Sequence, residues 1–379
     1  MTVVFAGGGT GGHLYPAIAI ADALRARCAR IAFIGTIDRL ESAIVPEAGY
    51  ELHAIASHSL PRRPTLELFQ TVASNAKGTA QSLRLILKER PDIVIATGGY
   101  VSFPVALAAR IARLTRFSRA PLVLLEPNAQ PGLTNKMLAP MVDEIWGPPL
   151  QPHPGWAGKY RPTGVPVRSA LRSLPKREDA IAHLGLDPAL HTLVAMGGSQ
   201  GARSINDALV RLVQENAVPK GWQLLVLTGR TEFERVAAAL PNAHPYLEDM
   251  GQVYAVADLV LARAGASTLG EIAALGKPSI LVPYPHAAQE HQAANAARFA
   301  ARGAAVVLDD RDMQANGLAR VLEKVVEPRR LQALAAAAKS FAGADPIEAI
   351  LARIEVLTSR KNGTSQCTTT ISSGLAVSA

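Results

Sequence analysis

The sequence predicts an α/β protein of two doubly wound halves, each a parallel sheet with helices on both faces. Short β-branched runs alternate with longer amphipathic ones, the pattern of parallel strands joined by helices. The alternation breaks once, at 147–166, where six prolines fall within twenty residues. Proline suits neither a helix interior nor a central strand, so this stretch reads as a linker. The alternation then restarts, and each half opens on a strand, a glycine-rich turn and a helix.

In the first half the strand patterns cover 3–6, 31–34, 93–96, 122–125 and 144–146. Helical periodicity fills 15–27, 66–89 and 105–113. The second half places strands at 193–196, 224–227, 259–262, 280–282 and 305–308. Residues 311–359 are helical in pattern, and 361–379 are Ser/Thr/Gly-rich without periodicity, which predicts a disordered tail. The expected division is a first domain over 1–163, a second over 164–342, a helix over 343–360 and the tail 361–379.

Composition narrows the class further. Of 379 residues 49% are hydrophobic and 18% charged, too apolar for a disordered chain. Cys28 and Cys367 lie far apart, which argues against a disulfide framework and a cysteine zinc site. No signal-peptide pattern opens the chain, and no apolar run nears the roughly 20 residues of a spanning helix. A soluble cytoplasmic protein is expected. The net charge is +8, and residues 1–120 hold 14 basic against 8 acidic side chains. That bias points to an anionic partner for the first half. Aromatics are only 5% of the chain, too few for base-stacking platforms, so no nucleic acid is expected. Arg110, Arg113, Arg116 and Arg119 around Phe117, with Arg62, Arg63, Leu66, Phe69 and Leu87, read as a basic–apolar membrane surface.

Residues 7–13 read GGGTGGH between a strand and a helix. Such a loop lets backbone N–H groups approach an anion at a helix N-terminus. Gly7, Gly9 and Gly12 also satisfy the dinucleotide fingerprint, so an oxidoreductase is the alternative reading. The acidic residue expected after the second strand is missing, however; Gly35-Thr36 stands there. His13, at the helix start, is a candidate base or phosphate ligand. The second half repeats the arrangement at 196–203, MGGSQGAR. Gly197-x-Ser199-x-Gly201 there fits a hydrolase elbow, but that fold has one sheet. A third turn, ARAGASTLGE at 262–271, offers Ala266, Ser267 and Thr268 to a diphosphate and Glu271 to a ribose diol. Gln289, Glu290, His291, Gln292 and Asn295 suit the hydroxyls of a sugar. His286 and His291 are five apart, off one helical face, so no metal is expected. Asp310-Arg311-Asp312 reads as a helix start.

The ordered set GGTGGH (8–13), GGYVSFP (98–104), EPNAQPGLTNK (126–136), TGVPVR (163–168), GGSQGAR (197–203) and the long stretch 257–283 resembles the MurG family of bacterial N-acetylglucosaminyltransferases. The match spans about residues 1–345. The resemblance implies a GT-B fold, two Rossmann-like domains facing across a cleft. Residues 1–163 would form the acceptor and membrane side, 164–342 would bind the UDP-sugar, and 343–360 would return to the first domain. It implies UDP-N-acetylglucosamine as donor and undecaprenyl-diphosphate-linked N-acetylmuramoyl-pentapeptide as acceptor, lipid I becoming lipid II with inversion. It implies no cofactor and no metal. It also implies a peripheral place on the cytoplasmic side of the cell membrane, an anionic membrane surface and cell-wall synthesis proteins as partners. Carried over by residue, Thr10, Gly11 and Gly12 form the first loop, with His13 and Glu126 the candidate bases. Asn128 reaches the donor sugar, Arg168 and Ser199 hold the phosphate and uridine side, and Leu247 offers its backbone to uracil. Ala266, Ser267, Thr268, Leu269, Gly270 and Glu271 cradle the diphosphate and ribose, and Gln292 and Asn295 face the sugar hydroxyls. The chain departs from the family at Leu125, Pro127, Phe103 and Val165.

Overall fold

The computed structural model describes residues 1–59, 67–150, 152–198, 200–287, 290–314 and 317–359. Ser199, the Arg62–Arg63–Leu66 stretch, Gln289 and the tail 361–379 lie outside the described residues. Two parallel sheets form. The first holds β1 (Thr2–Gly7), β2 (Arg30–Gly35), β3 (Glu51–Ala54), β4 (Ile93–Gly98), β5 (Leu122–Leu125), β6 (Glu144–Trp146) and β7 (Tyr160–Arg161) in the order 3-2-1-4-5-6-7. The second holds β8 (His191–Met196), β9 (Trp222–Leu227), β10 (Ala243–His244), β11 (Leu259–Ala262), β12 (Ser279–Leu281) and β13 (Val306–Val307) in the order 10-9-8-11-12-13. The central strands are apolar throughout because helices cover both faces; every residue of β4 is buried. In each sheet the strand order reverses beside the first strand, which opens a crevice at the carboxyl ends.

The helix Pro346–Ser359 crosses back to the first half. Its Ile347, Ile350, Leu351 and Ile354 join Phe5, Leu14, Phe33 and Trp146 in one core. Arg353 pins it through Glu144, which also accepts from Trp146 Nε1 at 3.0 Å. Burial works against the Glu144 charge, yet Arg353, Trp146 and Arg161 outweigh it and hold the carboxyl below its ordinary range.

Three edge strands have no sequence signal. β3, β7 and β10 are short and only partly buried, so they carry no continuous apolar run. β7 corrects the linker reading. The prolines turn the chain back, and Tyr160 OH donates to the Pro148 carbonyl at 2.5 Å. Residues 160–161 can then add to the sheet edge beside β6. Gly147 is locked to Arg161 and Gly164 by backbone hydrogen bonds. The crossing to the second half follows β7, at 163–167.

The expected continuous membrane face is also corrected. Helices Glu67–Glu89 and Ser102–Leu114 pack side by side and both run from the carboxyl to the amino edge of the sheet. Gly78 lets the first of them close on the segment after β3, since a Cβ there would meet the Ala56 carbonyl at 1.9 Å. Phe69 and Val72, 77% and 58% exposed, therefore stand at the cleft edge. Leu87, Arg116 and Phe117 stand toward the opposite edge, and Arg113 is paired with Asp143 at 2.6 Å.

Ile350 is fully buried at the returning helix. Ile350→Ala should lower the stability of the first half by about 2–5 kcal/mol, the usual cost of such a cavity. Urea unfolding followed by hydrogen exchange checks this; protection in the second sheet should hold.

Candidate active site

The carboxyl ends of the two sheets face each other across a cleft of about 540 Å³. Thr10, Gly12, His13, Gly99, Glu126, Asn128 and Asn135 line it from the first half. Gly265, Ala266, Tyr284, His291 and Gln292 line it from the second. That size accommodates a nucleotide-sugar-sized ligand.

One donor of the first glycine loop is already taken from within the protein. Glu41, fully buried, lies under this loop. Its Oε2 accepts from Gly9 N–H at 2.9 Å, and its Oε1 accepts from the Thr36 N–H and hydroxyl at 3.1 and 2.7 Å. A side chain at Gly8 would strike this carboxylate at 2.3 Å. The dinucleotide reading is corrected here: the loop's anion is the protein's own. Gly98 and Gly99, both at positive φ, form the matching turn after β4. Ser102 ties this turn to β1, its hydroxyl lying 2.8 Å from the Ala6 and Gly98 carbonyls, donating to one of them, and accepting from Gly98 N–H at 3.1 Å.

His13 rests against that turn; a Cβ on Gly98 would lie 2.8 Å from its Nδ1. Nδ1 is buried without a partner at normal hydrogen-bond geometry. Burial lowers the His13 pKa below the ordinary value, the Thr97 backbone pulls the other way, and His291 across the cleft adds to the lowering. His291 is lowered in turn, first by burial and then by Lys136.

Glu126 is engaged on both oxygens. Oε1 accepts from Asn128 N–H and Nδ2 at 2.9 and 3.0 Å, and Oε2 accepts from Asn135 Nδ2 at 2.7 Å. Burial raises its pKa, while these hydrogen bonds from Asn128 and Asn135 oppose the rise. Such a carboxylate shapes the 126–135 turn. Asn135 had no assigned role in the sequence reading, although it lies in the EPNAQPGLTNK motif. Its place in the same motif as Glu126 was the only signal available.

On the opposite wall the helix Ala266–Leu275 begins after extended Gly265 with no side-chain cap. The N–H groups of Ala266, Ser267 and Thr268 have no intrahelical partners, and the Ser267 hydroxyl is buried and unpaired. This end can take an anion. Just behind it, Glu271 accepts from Arg168 Nη2 at 3.2 Å and from Tyr254 OH at 2.8 Å. Arg168 also lies 4.9 Å from the Tyr15 ring centroid. The residues expected on ribose and phosphate thus hold each other. Leu247 is half-buried against the second core. Gln292 accepts from Tyr284 N–H at 2.9 Å. Asn295 is placed differently from its expected sugar-facing role. It is 4% exposed and its amide spans the halves, accepting from Ala129 N–H at 2.8 Å and donating to the Ala264 carbonyl at 3.1 Å. Leu269 and Gly270 face the apolar junction with Val165 and Pro127 rather than the cleft. Asp310 pairs with Arg263 and Ser204. Among the described residues no group of three or more His, Cys, Asp or Glu gathers as a metal site.

Two Rossmann-like sheets sharing one cleft, with an open helix N-terminus on one wall, define a GT-B glycosyltransferase. The glycosyltransferase family 28 N-terminal domain matches residues 3–146, and the C-terminal domain of the same family matches 192–350. The chain belongs to glycosyltransferase family 28. A relative from Moorella thermoacetica is 39% identical, with 93% of this chain and 97% of that protein covered. One from Halothermothrix orenii is 37% identical over 89% and 94%. Both are named UDP-N-acetylglucosamine–N-acetylmuramyl-(pentapeptide) pyrophosphoryl-undecaprenol N-acetylglucosamine transferase. The crystal structure of Acinetobacter baumannii MurG superimposes with a TM-score of 0.72 at 25% identity, covering 94% of this chain and 99% of that one.

Because burial depresses its pKa, the His13 ring should titrate below the ordinary 6.5. Folding stability should then fall as pH drops below 6.5, since the unfolded chain takes up a proton that the buried ring declines. NMR titration of nitrogen-labelled histidine, with His13→Gln to assign the resonance, checks the direction. A midpoint at or above 6.5 contradicts it.

Proposed function

We propose that this protein moves N-acetylglucosamine from UDP-N-acetylglucosamine to the C4 hydroxyl of the muramoyl sugar in undecaprenyl-diphosphate-linked N-acetylmuramoyl-pentapeptide. The observation that carries this reading is the pairing across one cleft of an open helix N-terminus at Ala266–Thr268 with a neutral histidine, His13. The relatives named for the same donor and acceptor support it.

The chemistry follows from those two walls. The acceptor oxygen attacks the anomeric carbon from the face opposite the diphosphate. A C–O bond forms, the bond to the phosphate oxygen breaks, and UDP leaves with inversion. His13 takes the hydroxyl proton, which its lowered pKa permits at neutral pH. The negative charge developing on the departing diphosphate meets the N–H groups of Ala266, Ser267 and Thr268 and the helix dipole. Donor binding separates Glu271 from Arg168: the carboxylate turns to the ribose diol, and the guanidinium to phosphate. Asn128 and Gln292 read sugar hydroxyls, with Leu247 at the uracil end. Glu126 orients Asn128 and takes no proton, because its oxygens already accept four hydrogen bonds.

Transfer of labelled N-acetylglucosamine to a lipid I analogue tests the reading, and a purified chain that makes no product overturns it. His13→Ala should lower kcat by roughly 10²–10⁴ with the donor KM nearly unchanged. Glu271→Ala should instead raise the donor KM about tenfold and spare kcat more.

The acceptor's prenyl chain draws the reaction to the cytoplasmic bilayer surface. Among the described residues no helix is long and apolar enough to cross it. We read the protein as peripheral, working beside other cell-wall synthesis proteins and touching anionic lipid through the Phe69–Val72 end of its helix. In co-sedimentation with acidic vesicles, Phe69→Glu should weaken binding several-fold. Arg116→Glu, at the far edge, should change it less than about twofold, since the attraction to such a surface fades within a Debye length of about 8–10 Å.

A further inference from the structure

Glu41 has no part in the transfer as described, yet two glycine positions are shaped around it. A Cβ on Gly8 would lie 2.3 Å from its carboxylate, and one on Gly35 2.9 Å from its Cγ. A Cβ on Gly99 would lie 2.6 Å from the Gly8 carbonyl, so the turn after β4 seats directly on the loop that Glu41 holds. The same turn receives the His13 ring at Gly98. The carboxylate is wholly buried, and its hydrogen bonds come from Gly9 and Thr36, with no cationic side chain among them. A buried acid satisfied only by backbone N–H groups and one hydroxyl is costly to keep in a protein interior, and a neutral hydrogen-bonding group is the cheaper occupant.

We propose that Glu41 is a positioning residue for the transfer reaction. It acts as an internal anion that fills the first glycine loop and sets the loop, the Gly98–Gly99 turn and the His13 ring at their working separation. This inference rests on the glycosyltransferase reading. Two consequences separate it from a purely structural role. The proposed donor groups lie on the second half except Asn128, which Glu126 rather than Glu41 holds, so loss of Glu41 should spare donor binding and depress the chemical step. The vacated space should also accept a small carboxylate from solution.

The test uses full-length Glu41→Ala and Glu41→Gln in the same transfer assay, with folding checked by thermal melting. A displacement of about an ångström at a reacting group costs on the order of 10²-fold in rate. For Glu41→Ala we expect kcat lowered by that order, a donor KM within about twofold of the parent, and partial recovery of kcat on adding formate but not chloride. Glu41→Gln keeps the shape and one acceptor oxygen, and should fall between the two. If Glu41→Ala does not fold, Glu41→Gln decides alone: lowered kcat at constant donor KM supports the proposal, and parental kcat overturns it. Loss of kcat and donor affinity together, or a folded Glu41→Ala that formate leaves unchanged, also overturns it. If the parent itself transfers no sugar, the functional reading has failed rather than this inference.

Discussion

The contact between two glycine turns, Gly8–Gly9 after β1 and Gly98–Gly99 after β4, governs the geometry of the first half's active face. The backbones come so close that no side chain fits between them. Glycine is required for a conformational reason as well, because Gly9, Gly98 and Gly99 have φ of +82°, +99° and +77°. Ser102 stitches the second turn to β1, and Glu41 stitches the first to β2. His13 has its place only because the turn beneath it lacks a Cβ. A close-packed interior transmits any shift there to the imidazole.

The two halves share a fold and a glycine-turn device but use it oppositely. In the first, an internal carboxylate consumes the loop's donor. In the second, the helix Ala266–Leu275 begins with no cap and no acid in its first turn. The first half's helix Gly11–Arg25 is likewise uncapped with no first-turn acid, so the two walls differ in the Gly9 donor that Glu41 occupies rather than in their helix ends. Under the proposed function, nucleotide belongs on the second half and the group receiving the sugar on the first. Arg168 and Glu271 occupy one another without ligand, which keeps a buried carboxylate compensated until a diol arrives.

Much of this was legible in the sequence because it depends on local patterns. Ten strands were marked by apolar runs, and the glycine turns by composition. What escaped depends on distance in space. Glu41 looks like an ordinary helix-start acid, and nothing near it in sequence signals the loop 32 residues away that it fills. Asn295 sits in a polar cluster suited to sugar, yet long-range packing sends its amide across the domain junction. The positions that depart from the family pattern became packing positions: Leu125 is buried in β5, Phe103 packs on the first core, and Val165 lies against Gly270. The membrane surface was drawn too large because charge counting ignores that a helix between parallel strands carries its two ends to opposite edges of the sheet.

The chain passes between the halves twice, near Gly164 and again near Pro346, and the two crossings touch. Gly164 has φ of +84°, and a Cβ there would lie 2.8 Å from Pro346 Cγ. Two strands of chain crossing at a single spot act like a door hung on one pin. Rotation about that pin parts the Asn295–Ala129 hydrogen bond and the Arg168–Tyr15 contact, while sliding or twisting of one half along the other is resisted by the short tethers. Under the proposed function, a swing about this pin would open the cleft to donor and acceptor and return His13 to the same point on the facing wall.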